Sequence, residues 1–238
     1  MMPSQSGFMS RNARFRASRL LLAVALCPTL ALAAPAPWAD TPASRLKALA
    51  LIQTLNAQIL ASTSATLTLE SWCRVHGLAT PAQVIARRQS GPELAPTDQQ
   101  RQELQVDAHE PVRFRRVELL CGEVLLSVAD NWYVPARLSA EMNTLLETTQ
   151  TPFGKVVLPL SPHRETLSDS LLWSPLPVDW ELTSAPKSTS AAAGAVLEMP
   201  AALFEIRAIL YTPSHQALAE VVEDYQRGIL GFAEPSLP

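Results

Sequence analysis

Apolar side chains recur at helical spacing near the start of the globular part of this chain and on alternate positions toward its end. Leu46, Leu49, Ile52, Leu55 and Ile59 follow Thr41-Pro42, an N-cap with proline at the first helical position. The pattern predicts an amphipathic helix from Pro42 to about Leu60. Ser62–Thr66 interrupts it, and a second helix is predicted from Leu67 to His76, with Gly77 just past its end. Gln83–Arg88 is apolar and β-prone, whereas Ser90–Arg101 is polar, bears proline and reads as a loop.

From Val112 the period becomes two. Val112–Cys121 and Glu123–Tyr133 read as antiparallel neighbours turning near Gly122, and Pro135 ends the second. Ser139 caps a short helix through Met142, Leu145 and Leu146, and Lys155–Leu160 reads as a returning strand. Phe204–Tyr211 and Ala217–Tyr225 form the clearest hairpin, joined by Thr212-Pro213-Ser214-His215-Gln216. Helices first and mostly antiparallel strands afterwards predict an α+β domain, an antiparallel β-sheet with helices packed against it, over about residues 41–232.

The segment ahead of the first helix has a different character. Residues 1–33 carry Arg11, Arg14, Arg16 and Arg19 with no acid, then an apolar run from Leu20 that ends in Ala31-Leu32-Ala33. A basic head, a short apolar stretch and a small-x-small end describe a secretory signal peptide. The run is shorter than the roughly 20 residues a membrane span needs, and Pro28 interrupts it. Cleavage near Ala33 would yield a periplasmic or secreted product with no membrane anchor. Residues 34–40 are expected to be flexible, as are the Ser/Ala-rich stretch 184–194 and the last residues 235–238 of the tail 233–238.

Charge narrows the partners. The whole chain carries −3, and without the four leader arginines 15 basic side chains face 22 acidic ones, a net −7. An acidic domain with no basic run has no electrostatic footprint for nucleic acid. With 47% hydrophobic and only 17% charged residues the composition is that of a globular core. After cleavage only Cys73 and Cys121 remain; whether they pair is open at this level. His76, His109, His163 and His215 are scattered with no pair at metal-ligand spacing, so neither a metal nor another cofactor is expected. There is no glycine-rich phosphate loop and no nucleophile elbow.

Four short motifs occur in an order that resembles the chorismate lyase family. They are Ser64-Ala65-Thr66 followed by Glu70, Arg116-Val117-Glu118-Leu119-Leu120-Cys121, Val134-Pro135 with Thr151-Pro152-Phe153-Gly154-Lys155, and Ala217-Leu218-Ala219-Glu220. Together they span about residues 62–225. The chain departs from the family's compact form in the insertion Trp173–Pro200 and in its leader, since chorismate is made and used in the cytoplasm.

The resemblance implies a ligand enclosed beneath a pair of flaps. It assigns Arg116 to a ring carboxylate, helped by the backbone amides of Ala65 and Phe153, and Glu220 to proton donation at the departing ether oxygen. A guanidinium suits a carboxylate because its planar fork makes two parallel bonds. Two other readings stand beside this. Arg116 is neutralised internally, with Glu118 as the partner, and Glu220 belongs to a solvated acidic edge with Glu223 and Asp224. Glu205 is an alternative to Glu220 as the family's glutamate. Arg207 is either a second anion contact or the partner of an acid across the sheet. Two function classes follow. One is a carbon–oxygen lyase giving 4-hydroxybenzoate and pyruvate; the other is an exported, non-catalytic protein that binds a small aromatic carboxylate. The same fold resembles the ligand-sensing domains of a class of bacterial transcription repressors.

Overall fold

Six strands form one antiparallel sheet, in the order Val84–Arg88, Arg113–Cys121, Val124–Tyr133, Ala217–Gln226, Ala202–Tyr211 and His163–Leu171. A computed structural model describes residues 37–182 and 194–236. The leader at 1–33 and nearly all of the Ser/Ala-rich stretch 184–194 lie outside the described residues.

Helix α1 (Pro42–Leu60) starts where Thr41 accepts from the Ser44 amide, and Pro42 supplies a preset first turn. It buries Ala48, Ile52, Leu55 and Ile59, while Leu46 stays exposed. Helix α2 (Ala65–Val75) is capped by Ser64 and buries Leu69, Trp72 and Cys73. Strands β1 (Val84–Arg88), β2 (Arg113–Cys121) and β3 (Val124–Tyr133) follow, with β2 and β3 joined through Gly122. Gly122 has φ +56, and a Cβ there would meet the Ala79 Cβ at 2.8 Å, so both backbone and space call for glycine. Strands β5 (Ala202–Tyr211) and β6 (Ala217–Gln226) form the expected hairpin.

Cys73 of α2 and Cys121 of β2 are joined in a disulfide that ties the second helix to the sheet. The main core lies between the sheet and α1 and α2, with Ile52, Leu69, Leu126, Phe204, Ile206 and Tyr225 fully buried. Each large side chain removed from water there contributes about 1.5–3 kcal/mol. A smaller cluster, Leu104, Trp132, Val134, Ile209, Tyr211 and Ala217, sits on the opposite face of the sheet.

Three expectations are corrected, and one strand is added. Ser90–Arg101 is not all loop: helix α3 (Asp98–Glu103) begins there, because Thr97 and Gln100 cap one another's backbone amides. Lys155–Leu160 is not a strand. Helix α4 (Ala140–Thr148) is followed by helix α5 (Phe153–Val156) and a tight turn at Leu158–Leu160, since Pro152 and Pro159 favour helical starts over a ladder. A further strand, β4 (His163–Leu171), forms the sheet edge; its polar sequence reflects exposure on both faces at most positions. Finally, the described part of 34–40 is docked. Trp38 is buried, donates from Nε1 to the Phe232 carbonyl at 2.9 Å and packs edge-on against that ring. In the tail, Glu234 accepts from Lys47 Nζ at 2.7 Å and from Ser44 Oγ at 2.9 Å.

Candidate functional site

The N-termini of α2 and α5 meet over the helix-side face of the sheet. Thr63, Ser64, Ala65, Thr66, Pro152, Phe153 and Gly154 form the roof of a cleft, and Val117, Leu119, Ala129, Asn131 and Val221 form its floor. Arg164 and Glu223 line it from β4 and β6. Its cavity volume is about 40 Å³, room for roughly one to three water molecules. The close approach of the two helix starts depends on Gly154: a Cβ would stand 3.0 Å from Thr66 Oγ1 and 3.5 Å from Ser64 Oγ. Lys155 Nζ bonds Glu70 Oε1 at 2.5 Å, and the same oxygen accepts from the Val84 amide, so α5, α2 and β1 are locked together.

The cleft sets a helix N-terminus beside a buried ion pair. Ser64 Oγ accepts from the Leu67 amide, which leaves the Ala65 and Thr66 N–H groups without an intrahelical acceptor at a positive helix end. Arg164, with a side chain only 3% exposed, donates from Nη2 to Glu223 Oε2 at 2.7 Å, and its Nε has no partner. Tyr225 Oη donates to the same Glu223 oxygen at 3.1 Å. Burial raises the Tyr225 phenol far above its usual range, with the Glu223 charge adding to it. The Arg164 guanidinium is held above its ordinary value: burial opposes its charge, and Glu223 and Tyr225 outweigh that.

A second arginine, Arg115, is buried beside the turn that leads into α5. It makes one long contact, Nη2 to the Thr151 carbonyl at 3.3 Å, while Nε and Nη1 are unpartnered. Burial and the nearby Arg88 charge push it down to about 10. It has no acidic partner among the described residues.

The resemblance-assigned residues divide between the two faces. Ala65 and Phe153 line the cleft. Arg116 does not point into the domain: it lies on the outer face, its side chain 47% exposed, gripping Asp130 through two bonds at 2.6 and 2.5 Å. Its partner is thus the residue opposite it on β3 and not Glu118, which binds Arg87 and Gln89. The arginine that enters the interior is Arg115, because a one-residue step along a strand reverses the face. Glu220 is also on the outer face, fully buried beneath α3. Its Oε1 accepts from Arg207 Nε at 2.8 Å and from Gln100 Nε2 at 3.1 Å. It does not face Arg116 across a cavity, nor does it sit on a solvated edge. Arg207 bridges Glu220 and Glu103, an ion pair across the sheet. Glu205 lies opposite Asp224 on that same outer face. The carboxylate that reaches the cleft is Glu223.

Local pattern marks neither Arg164 nor Glu223 as a cleft residue, for separate reasons. Arg164 sits in a strand whose polar sequence carries no periodic signal. Glu223 lies on β6, which is buried on both faces along most of its length, so alternation does not say which carboxylate faces the helices.

With the geometry in place, the chain can be compared with known proteins. It is 44% identical over 202 residues to y4mC of Sinorhizobium fredii (strain NBRC 101917 / NGR234), a protein described as uncharacterized; the match covers 84% of each chain. The chain belongs to the y4mC family. No family model matches it. Solved structures similar to this family member include PhnF from Mycobacterium smegmatis, at 15% identity, 75% of this chain, 69% of that one and a TM-score of 0.44. The effector domain of PhnF gives 16% identity, 69% and 88% coverage and a TM-score of 0.42. The possible transcriptional regulator YydK from Bacillus subtilis gives 12% identity and a TM-score of 0.38; the match covers 64% of this chain and 62% of that one. Likeness this distant carries no residue roles or ligands across.

Proposed function

We propose that this chain is an exported, chorismate-lyase-like binding protein for a small carboxylate, which it holds in the cleft between α2, α5 and the sheet. One observation carries the reading: Arg164 is buried at the cleft with an unpartnered Nε, where the N-terminus of α2 presents the Ala65 and Thr66 amides, which have no intrahelical acceptor. A carboxylate there would gain charge-assisted bonds in a site shielded from water, and the apolar floor would take its hydrocarbon part. The cleft as it stands is too small for a ring. An aromatic acid such as 4-hydroxybenzoate therefore enters only if α5 or the Pro162–Arg164 segment swings outward.

Binding is favoured over elimination because no acid in the cleft is free to give a proton. Glu223 is held as the counter-ion of Arg164, and Glu220 is committed to Arg207 behind the sheet. Export is supported by the composition of the leader and by the Cys73–Cys121 bond, which persists in an oxidising compartment.

Thermal shift with a panel of short and aromatic carboxylates tests the binding. A ligand at a hundredfold excess over its Kd stabilises the fold by about 2.7 kcal/mol, and Arg164→Lys, which loses the planar fork, should remove that gain. No shift with any carboxylate would overturn the reading. Pyruvate release from chorismate, dependent on Glu223, would establish the lyase instead. Fractionation with N-terminal sequencing tests the address, the expected start being near Ala34.

A further inference from the structure

On the outer face, at the start of the edge strand, three side chains far apart in sequence converge. His163 and Glu165 alternate on β4 and so share a face, and His215 reaches them from the β5–β6 turn. Glu165 Oε1 stands 3.5 Å from His163 Nε2 and 3.7 Å from His215 Nδ1. One ligand atom from each residue lies within 4.8 Å of the others. Neither imidazole makes a hydrogen bond to Glu165 at these separations. Both separations are ion-pair distances when the imidazoles are protonated, and the two imidazole rings lie 5.8 Å apart, 21° from parallel.

We propose that His163, Glu165 and His215 form a binding site for a divalent transition-metal ion of the zinc class. Two imidazoles and a carboxylate suit zinc, nickel or copper and not magnesium or calcium, which take oxygen ligands. Bonds of about 2.0–2.1 Å in tetrahedral array set neighbouring ligand atoms roughly 3.4 Å apart, within a few tenths of the two spacings found. Three protein ligands leave the fourth position to water or an exogenous group.

A second, independent feature is the way the imidazoles are held. His215 adopts φ +61, a left-handed conformation uncommon outside glycine. The turn that fixes it is braced: His215 N bonds the Thr212 carbonyl, Gln216 N bonds Thr212 Oγ1, and Thr212 Oγ1 meets Ser214 Oγ. The Tyr211 ring then stacks on both imidazoles, at 4.3 Å from His215 and 5.4 Å from His163. Ligands oriented before the ion arrives lose less freedom on binding it. The fifty-one residues between His163 and His215 explain why no ligand spacing shows in the sequence.

Isothermal titration of the tag-free mature protein with zinc chloride, after treatment with EDTA, tests the site. The expected result is one ion per chain, with at least tenfold weaker binding in His163→Ala and in His215→Asn. Asparagine tolerates the left-handed backbone, so the second variant keeps the turn, and His109→Ala should bind as wild type does. Magnesium should give no heat. Absence of saturable one-to-one binding in the wild type, or unchanged affinity in His215→Asn, would overturn the proposal.

Discussion

Arg164 and Glu223 meet across β5 as a 2.7 Å ion pair with side chains 3% and 8% exposed. Two strands and an interior cleft depend on one cation. Removing either partner leaves the other charge buried and uncompensated, so Arg164→Met should cost about 3–5 kcal/mol. Adding Glu223→Gln to it should recover part of that loss. Urea denaturation of the two single variants and the double variant measures the coupling.

The Cys73–Cys121 bond should respond to reductant. It closes a loop with a sequence separation of 48, and losing it should lower stability by about 2–4 kcal/mol. Replacing both cysteines by alanine, or adding dithiothreitol, should shift the denaturation midpoint equally; no shift in either case would mean that the two thiols are not bonded in solution.

Gly228 lies where no side chain fits. A Cβ there would stand 2.0 Å from the Leu125 carbonyl oxygen, a backbone atom of β3. Gly228→Ala must therefore move a strand or the turn after β6, at a cost of about 1–3 kcal/mol. Thermal unfolding reads this directly, with Gly91→Ala, at a position with open space, as the neutral control.

Glu205 and Asp224 face one another on the outer side of β5 and β6, and both carboxyls sit above their usual range. For Glu205 burial is the main cause and the Asp224 charge adds to it. For Asp224 burial again leads, with a hydrogen bond from Glu205 opposing. A carboxyl whose folded value is raised binds its proton more tightly in the native state. Its contribution is full below the unfolded carboxylate range and is lost as pH rises through the folded value. Glu205→Gln removes the like charge, so the variant should gain on wild type as pH rises from below the unfolded carboxylate range through the raised folded values. A constant difference across that window in urea denaturation would refute the coupling.

Much of the architecture was legible because it rests on local rules. Thr41 and Ser64 cap helices through their own side chains, Gly122 turns a hairpin, and β-rich apolar stretches mark β2, β3, β5 and β6 as strands. Leu46 shows the limit: it keeps helical spacing yet stays exposed, since the buried stripe of α1 runs through Ser44, Ala48 and Ile52.

What the sequence determined by itself, then, is the class of fold, one antiparallel sheet under helices, and the motifs at Ala65 and Phe153 that end in the cleft. Tertiary structure alone decided which charges share that cleft. Strand β6, buried on both faces, gives no periodic sign of which of Glu220 and Glu223 faces the helices, and on β2 the alternation separates Arg115 from Arg116 without saying which face the helices cover. The convergence of His163, Glu165 and His215 likewise depends on the pairing of β4 with β5, a contact between distant segments that no spacing along the chain encodes.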